Sequence, residues 1–113
     1  MADMNIEQAR HNMIEQQIRP WDVLDQRVLE QMQRTPREDF VLPAYRNAAF
    51  TDTMLPIGHD QRMLEPKLEA RILQALAIQP DEKAMEVGTG SGYMTALLAG
   101  MAREVVSVEI VPE

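Results

Sequence analysis

The sequence predicts an α/β chain in which N-terminal helices are followed by a strand–helix–strand unit. Three observations carry that prediction. Apolar residues recur at helical spacing in two short segments before residue 35, β-favouring segments lie at 83–87 and 104–110, and a glycine-rich turn between those segments opens a further helix. The 113 residues, 45% hydrophobic and 26% charged, suit one globular unit or part of one and are too few for two ordinary domains.

In the first helix, Ile6, Ala9, Met13, Ile14 and Ile18 fall near one face, Asn5 is the N-cap, and Gln8 stands three residues on in the capping-box position. Pro20 is expected to end it. A second helix over 25–33 starts from Asp25 as cap, sets Val28, Leu29 and Met32 on one side and stops at Thr35-Pro36. Over 37–61 the periodicity fades, and Pro43, Pro56 and Gly58 punctuate a stretch too long and too apolar for a free linker, so a packed or functional loop is expected. Glu65-Pro66 then opens an amphipathic helix whose apolar face is expected to be Leu68, Ile72, Leu73 and Leu76. A short strand at 83–87 leads into the glycine turn, a helix with Met94, Leu97, Leu98 and Met101, and a second strand at 104–110 containing Val105, Val106, Val108 and Ile110. That order implies a right-handed crossover joining two parallel strands. The chain therefore divides into a helical and loop region, 1–64, and the start of an α/β domain, 65–113.

Charge and composition exclude several classes. Eighteen acidic against 11 basic residues give a formal charge of −7, and the nine arginines and two lysines are scattered, so nucleic acid is not an expected partner. Without cysteine there are no disulfides or thiolate metal sites, which suits a reducing cytoplasm, and two distant histidines make no zinc cluster; no metal is expected. Residues 1–12 lack the apolar core of a signal peptide, and no apolar run approaches the roughly 20 residues that span a bilayer, so neither secretion nor membrane insertion is expected.

The turn Gly88-Thr89-Gly90-Ser91-Gly92 is the chemical centre of the sequence. A polar cofactor approaches backbone closely only where side chains are absent, and the following helix adds exposed N–H donors. A dinucleotide fingerprint requires G-x-G-x-x-G, but Tyr93 stands where its last glycine would be. Glu86, at the end of the first strand, would sit well beside a cationic sulfonium and ammonium and badly beside a pyrophosphate. Glu109, 21 residues after Gly88, is placed to accept from both ribose hydroxyls. These features favour S-adenosylmethionine, with Glu86, Gly88, Thr89, Gly90, Ser91, Gly92 and Glu109 as its contacts. On the residues alone, a tight ligand-free connection and a merely solvated Glu109 remain alternatives.

The run 85–99, Met-Glu-Val-Gly-Thr-Gly-Ser-Gly-Tyr-Met-Thr-Ala-Leu-Leu-Ala, resembles the first cofactor motif of the protein-L-isoaspartate O-methyltransferases. Upstream, Val28-Leu29-Glu30, Pro36-Arg37-Glu38-Asp39-Phe40-Val41 and Leu55-Pro56-Ile57-Gly58-His59 resemble that family's landmarks in the same order, so the likeness runs from about Ile14 to the last residue. The resemblance implies N-terminal helices before the first strand–helix–strand unit of a Rossmann-like class I methyltransferase sheet. It also implies methyl transfer from S-adenosylmethionine to the carboxylate of L-isoaspartyl residues in damaged proteins. Because the acceptor is already ionised and the sulfonium is a competent electrophile, positioning and desolvation suffice and no catalytic triad is expected.

Asp52, His59 and Gln61 are the substrate-side candidates on this resemblance. The alternatives are a turn-stabilising role for Asp52 and a hydrogen-bonded structural role for His59. Trp21 is expected to pack the helical prelude onto the core rather than act as a lid, and His11 to lie on a helix surface. The chain departs from the family pattern Gly-Gln-Thr-Ile-Ser: Gln61 matches, but Asp60, Arg62, Met63 and Leu64 stand at the glycine, threonine, isoleucine and serine. A substrate-facing hydroxyl is thereby lost, with Arg62 able to supply a compensating charge. A related methyltransferase with another substrate and a noncatalytic cofactor- or partner-binding module are the rival readings. A chain stopping after the second strand of such a sheet is also expected to be a fragment that is weakly stable, associates with itself or binds cofactor poorly, and that is inactive alone.

Overall fold

The computed structural model describes residues 5–109. Helix α1 (Ile6–Met13) begins where expected, the Asn5 side chain accepting from the Gln8 N–H at 3.1 Å. The helical path does not stop at Pro20. It widens into a π turn at Ile14–Ile18 and tightens into a 3₁₀ turn at Arg19–Trp21, which proline tolerates near its start because no N–H is needed there. Asp22 then breaks the path in a left-handed conformation, at φ +61°. Met13, Ile14 and Ile18 stay buried through this change of pitch. Trp21, 41% exposed, lies under the Lys67 ammonium at 4.5 Å, so it joins the prelude to a later helix without entering the core.

Helix α2 (Gln26–Arg34) is capped by Asp25, which accepts from the Arg27 and Val28 N–H groups, and it buries Val28, Leu29 and Met32 as expected. The stretch over 37–61 is a packed loop with structure of its own. Two 3₁₀ turns, Arg37–Asp39 and Pro43–Ala48, precede an antiparallel hairpin of β1 (Leu55–Gly58) and β2 (Gln61–Met63). Leu55 and Met63, partners in register, supply its buried face.

Helix α3 (Pro66–Leu76) starts at the expected proline, but its apolar face is not the expected one. The side buried in the core is Pro66, Glu69, Ala70 and Leu73, whereas Ile72 and Leu76 are exposed and Leu68 is half-buried. Leu73 enters the core, whereas Ile72 and Leu76 each line an open cavity. Strands β3 (Lys83–Val87) and β4 (Glu104–Val108) pair in parallel, with α4 (Tyr93–Ala99) between them in sequence. Ile110, expected in the second strand, lies outside the described residues. Ala84 and Val105 face the core, while Met85, Val87, Val106 and Val108 are exposed on the opposite face.

One apolar cluster draws on the prelude, the hairpin, α3 and α4, including Ile18, Met32, Met63, Leu73, Tyr93 and Leu97. Two ion pairs are buried beside it. Arg10 grips both oxygens of Glu38 at 2.6 and 2.7 Å, and Arg37 meets Glu69 at 2.5 Å. A buried guanidinium is costly unless most of its donors are used. Arg37 also donates from Nε to the Ala49 carbonyl at 2.7 Å and from Nη2 to the Leu64 carbonyl at 2.8 Å, and it lies 4.7 Å from the Tyr93 ring centre.

Candidate functional site

The turn after β3 is built from three glycines in left-handed backbone, at φ +87°, +58° and +88° for Gly88, Gly90 and Gly92. At Gly90 space adds to conformation, since a Cβ there would meet Ile57 Cδ1 at 3.4 Å. The hairpin thus packs directly over the turn. The N–H of Gly88 donates to the Val108 carbonyl at 2.6 Å, which ties the start of the turn to the end of β4.

Both predicted acids converge on this turn. Glu109 Oε2 accepts from the Gly90 N–H at 2.8 Å, which places the carboxylate at the turn's centre. Glu86 Oε1 accepts from the Thr95 hydroxyl and, at 2.9 Å, from the Ser107 hydroxyl. Ser107 has one proton, so the 2.6 Å contact between its oxygen and Thr89 Oγ1 has Thr89 as donor. The resulting relay, Thr89 to Ser107 to Glu86, fixes the carboxylate across both strands and the turn. Thr95 and Ser107 were not singled out in the sequence, because an isolated hydroxyl in a helix or strand carries no motif.

An open cavity of about 280 Å³ faces the turn, lined by Glu86, Gly88, Thr89, Gly90, Ser91 and Met94 on one side and by Ile57, Arg62, Met63, Leu64, Glu69 and Ile72 on the other. The diverged residues Arg62, Met63 and Leu64 therefore form a wall of the same cavity as the cofactor candidates. Glu69 is a further acid that the sequence did not reveal as a site residue. Burial pushes its carboxyl up to about 7, with the Arg37 guanidinium pulling the other way.

The substrate-side candidates lie elsewhere. Asp52 is exposed and accepts from Lys67 at 3.1 Å. His59 and Asp60 form the tip of the hairpin, both in left-handed backbone, and Gln61 is exposed beside them. His59, Asp60 and Gln61 border a second cavity with Pro56, Gly58 and Arg62, so Arg62 lines both spaces. Among the described residues no helix is long and apolar enough to cross a membrane.

A parallel strand–helix–strand unit with a bare glycine turn and an acid at each strand end defines a Rossmann-like cofactor fold. The family model for protein-L-isoaspartate(D-aspartate) O-methyltransferase matches residues 8–113, and the chain belongs to that family. It is 48% identical over 101 residues to a protein-L-isoaspartate O-methyltransferase of Gloeobacter violaceus, covering 89% of this chain and 49% of the relative. With the Myxococcus xanthus enzyme of the same name it shares 52% over 91 residues, covering 80% and 43%. The chain thus spans about half the length of the curated relatives it matches. Among solved structures, a Plasmodium falciparum protein-L-isoaspartate O-methyltransferase in complex with S-adenosyl-L-homocysteine superposes with a TM-score of 0.75 at 23% identity, covering 96% of this chain and 50% of that one. This likeness bears out the fold class.

Proposed function

We propose that the protein is an S-adenosylmethionine-dependent methyltransferase that esterifies the carboxylate of L-isoaspartyl residues in damaged proteins, acting in the cytoplasm on protein or peptide substrates, without nucleic acid or membrane as partner. The observation that carries this reading is that Glu86 and the glycine turn line one cavity whose far wall is the hairpin segment, while Glu109 accepts from the N–H of Gly90 in that turn.

The residues fit the cofactor in charge and in space. Glu86, held by two hydroxyl donors, offers a fixed negative charge to the sulfonium and ammonium, and Glu109 is the acceptor for the ribose hydroxyls. Gly88, Gly90 and Gly92 leave the backbone between them bare. When bound, S-adenosylmethionine supplies an electrophilic methyl group, whose bond to sulfur breaks with the electron pair retained by sulfur as the acceptor oxygen bonds to carbon. The chain's residues orient the acceptor and strip it of water; the carboxylate is ionised at neutral pH and needs no base. Asp52, His59 and Gln61 remain our proposed substrate contacts, His59 and Gln61 at the outer cavity and Asp52 outside it, and the division at residue 64 separates this substrate region from the cofactor half in sequence.

Calorimetry on the full-length protein tests the cofactor assignment. S-adenosylmethionine and S-adenosylhomocysteine should compete for one site, and Glu109→Ala should weaken both by about 1.5–3 kcal/mol, roughly 10- to 150-fold. An unchanged affinity would remove Glu109 from ribose recognition. Formation of a base-labile methyl ester on an isoaspartyl peptide, and not on its aspartyl counterpart, tests the acceptor.

A further inference from the structure

The cavity facing the glycine turn is lined by one cation that the fold does not use. Arg62, on β2, is exposed, and its side chain makes no hydrogen bond or ion pair with any described residue. Other arginines are committed: Arg10 and Arg37 are buried in ion pairs, and Arg27 and Arg71 donate to backbone carbonyls. The backbone around Arg62 is fixed. It pairs with Pro56 in the hairpin, its neighbour Met63 is buried, and the Leu64 carbonyl is held by Arg37. Since side chains alternate along a strand, burying Met63 turns Arg62 away from the core.

The rest of the wall makes that guanidinium consequential. The charged groups sharing the cavity are Glu69 and Glu86, both carboxylates, and Leu64 contributes an apolar surface. An anionic acceptor entering this space would meet the Glu86 carboxylate and, beside Leu64, an apolar wall, with Glu69 already paired to Arg37. Left unpartnered there, a desolvated carboxylate is costly. Arginine offers a planar, always charged fork matched to both oxygens of such a group. Resting on the function proposed above, we propose that Arg62 is the specificity-determining residue for the acceptor, binding the substrate carboxylate by an ion pair in place of the hydroxyl contact that the family pattern supplies. Esterification abolishes the acceptor's charge, so the product loses this contact and is released in preference to unreacted acid.

The test is binding of a fluorescent isoaspartyl peptide to the full-length protein under saturating S-adenosylhomocysteine, together with methyl transfer to the same peptide. An ion pair makes the wild-type affinity fall with rising salt. Arg62→Gln should weaken peptide binding at least tenfold, raise KM more than it lowers kcat and flatten the salt dependence, while Arg62→Lys should recover part of the affinity. Wild-type affinity and salt dependence in Arg62→Gln, alongside ester formation by the wild-type protein, would overturn the role of Arg62 and leave the functional reading standing. A wild-type protein that binds S-adenosylhomocysteine but neither binds nor esterifies the peptide would overturn the functional reading, and the acceptor role of Arg62 with it.

Discussion

Glu69 carries at a single residue the tension between burial and charge that runs through this site. Its carboxyl is pushed up to about 7 by burial against an ordinary value of 4.5, with Arg37 opposing and Glu65 and Glu86 reinforcing the rise. An acid whose folded pKa lies above its unfolded one binds more protons in the native state between those two values. Stability from this group is therefore greatest at low pH and is lost as pH rises through that window. Glu69→Gln should remove this component, so thermal unfolding followed from about pH 5 to 7.5 should show a shallower decline than the wild-type protein. Equal slopes would mean that Glu69 stays charged throughout. This residue was not legible in sequence because a glutamate in an amphipathic helix reads as solvated surface, and its partner Arg37 lies 32 positions away. Glu86 and Glu109 were legible because each stands at a strand end, Glu86 two residues before the glycine turn and Glu109 just after β4, which parallel pairing with β3 brings to Gly90.

At the scale of elements, the hairpin separates what periodicity can and cannot announce. Strands of four and three residues are too short to show an alternating pattern, so the segment read only as a packed loop. The π turn after α1 was hidden for a related reason, since Ile14 and Ile18 satisfy ordinary helical spacing equally well. By contrast, α2 and the opening of α3 were readable from Asp25 and Pro66, whose effects act within one turn. The hairpin tip also carries a measurable strain. Asp60 sits at φ +59°, a conformation that glycine adopts without steric cost, and the family pattern has glycine there. Asp60→Gly should therefore stabilise the folded protein by about 0.5–1 kcal/mol in urea unfolding, net of the larger entropy of the unfolded chain. A destabilised variant would show that the aspartate side chain holds the tip by contacts worth more than the backbone relief.

Over the whole molecule, one surface is out of keeping with the rest. Parallel strands are ordinarily covered on both faces, yet the face of β3 and β4 away from the core presents Met85 at 72%, Val87 at 76%, Val106 at 42% and Val108 at 43% exposure. The strand register sets Met85 beside Val106 and Val87 beside Val108, so the four side chains form one continuous apolar patch. Each strand pairs only with the other among the described residues, which leaves backbone edges open as well. The formal charge of −7 opposes association at long range, but it is screened at physiological salt, whereas apolar burial is not. The 113-residue chain should accordingly associate with itself in a concentration-dependent way, more strongly as salt rises. Replacing Val87 with lysine and Val108 with glutamate puts an opposite-charge pair on adjacent strands, which preserves cross-strand attraction while breaking the apolar patch. Sedimentation velocity over a hundredfold range of concentration should show the double variant shifted toward monomer relative to the unmodified chain. A chain that stays monomeric across that range, or a double variant that associates as strongly as the parent, would mean that this face is not the surface driving assembly.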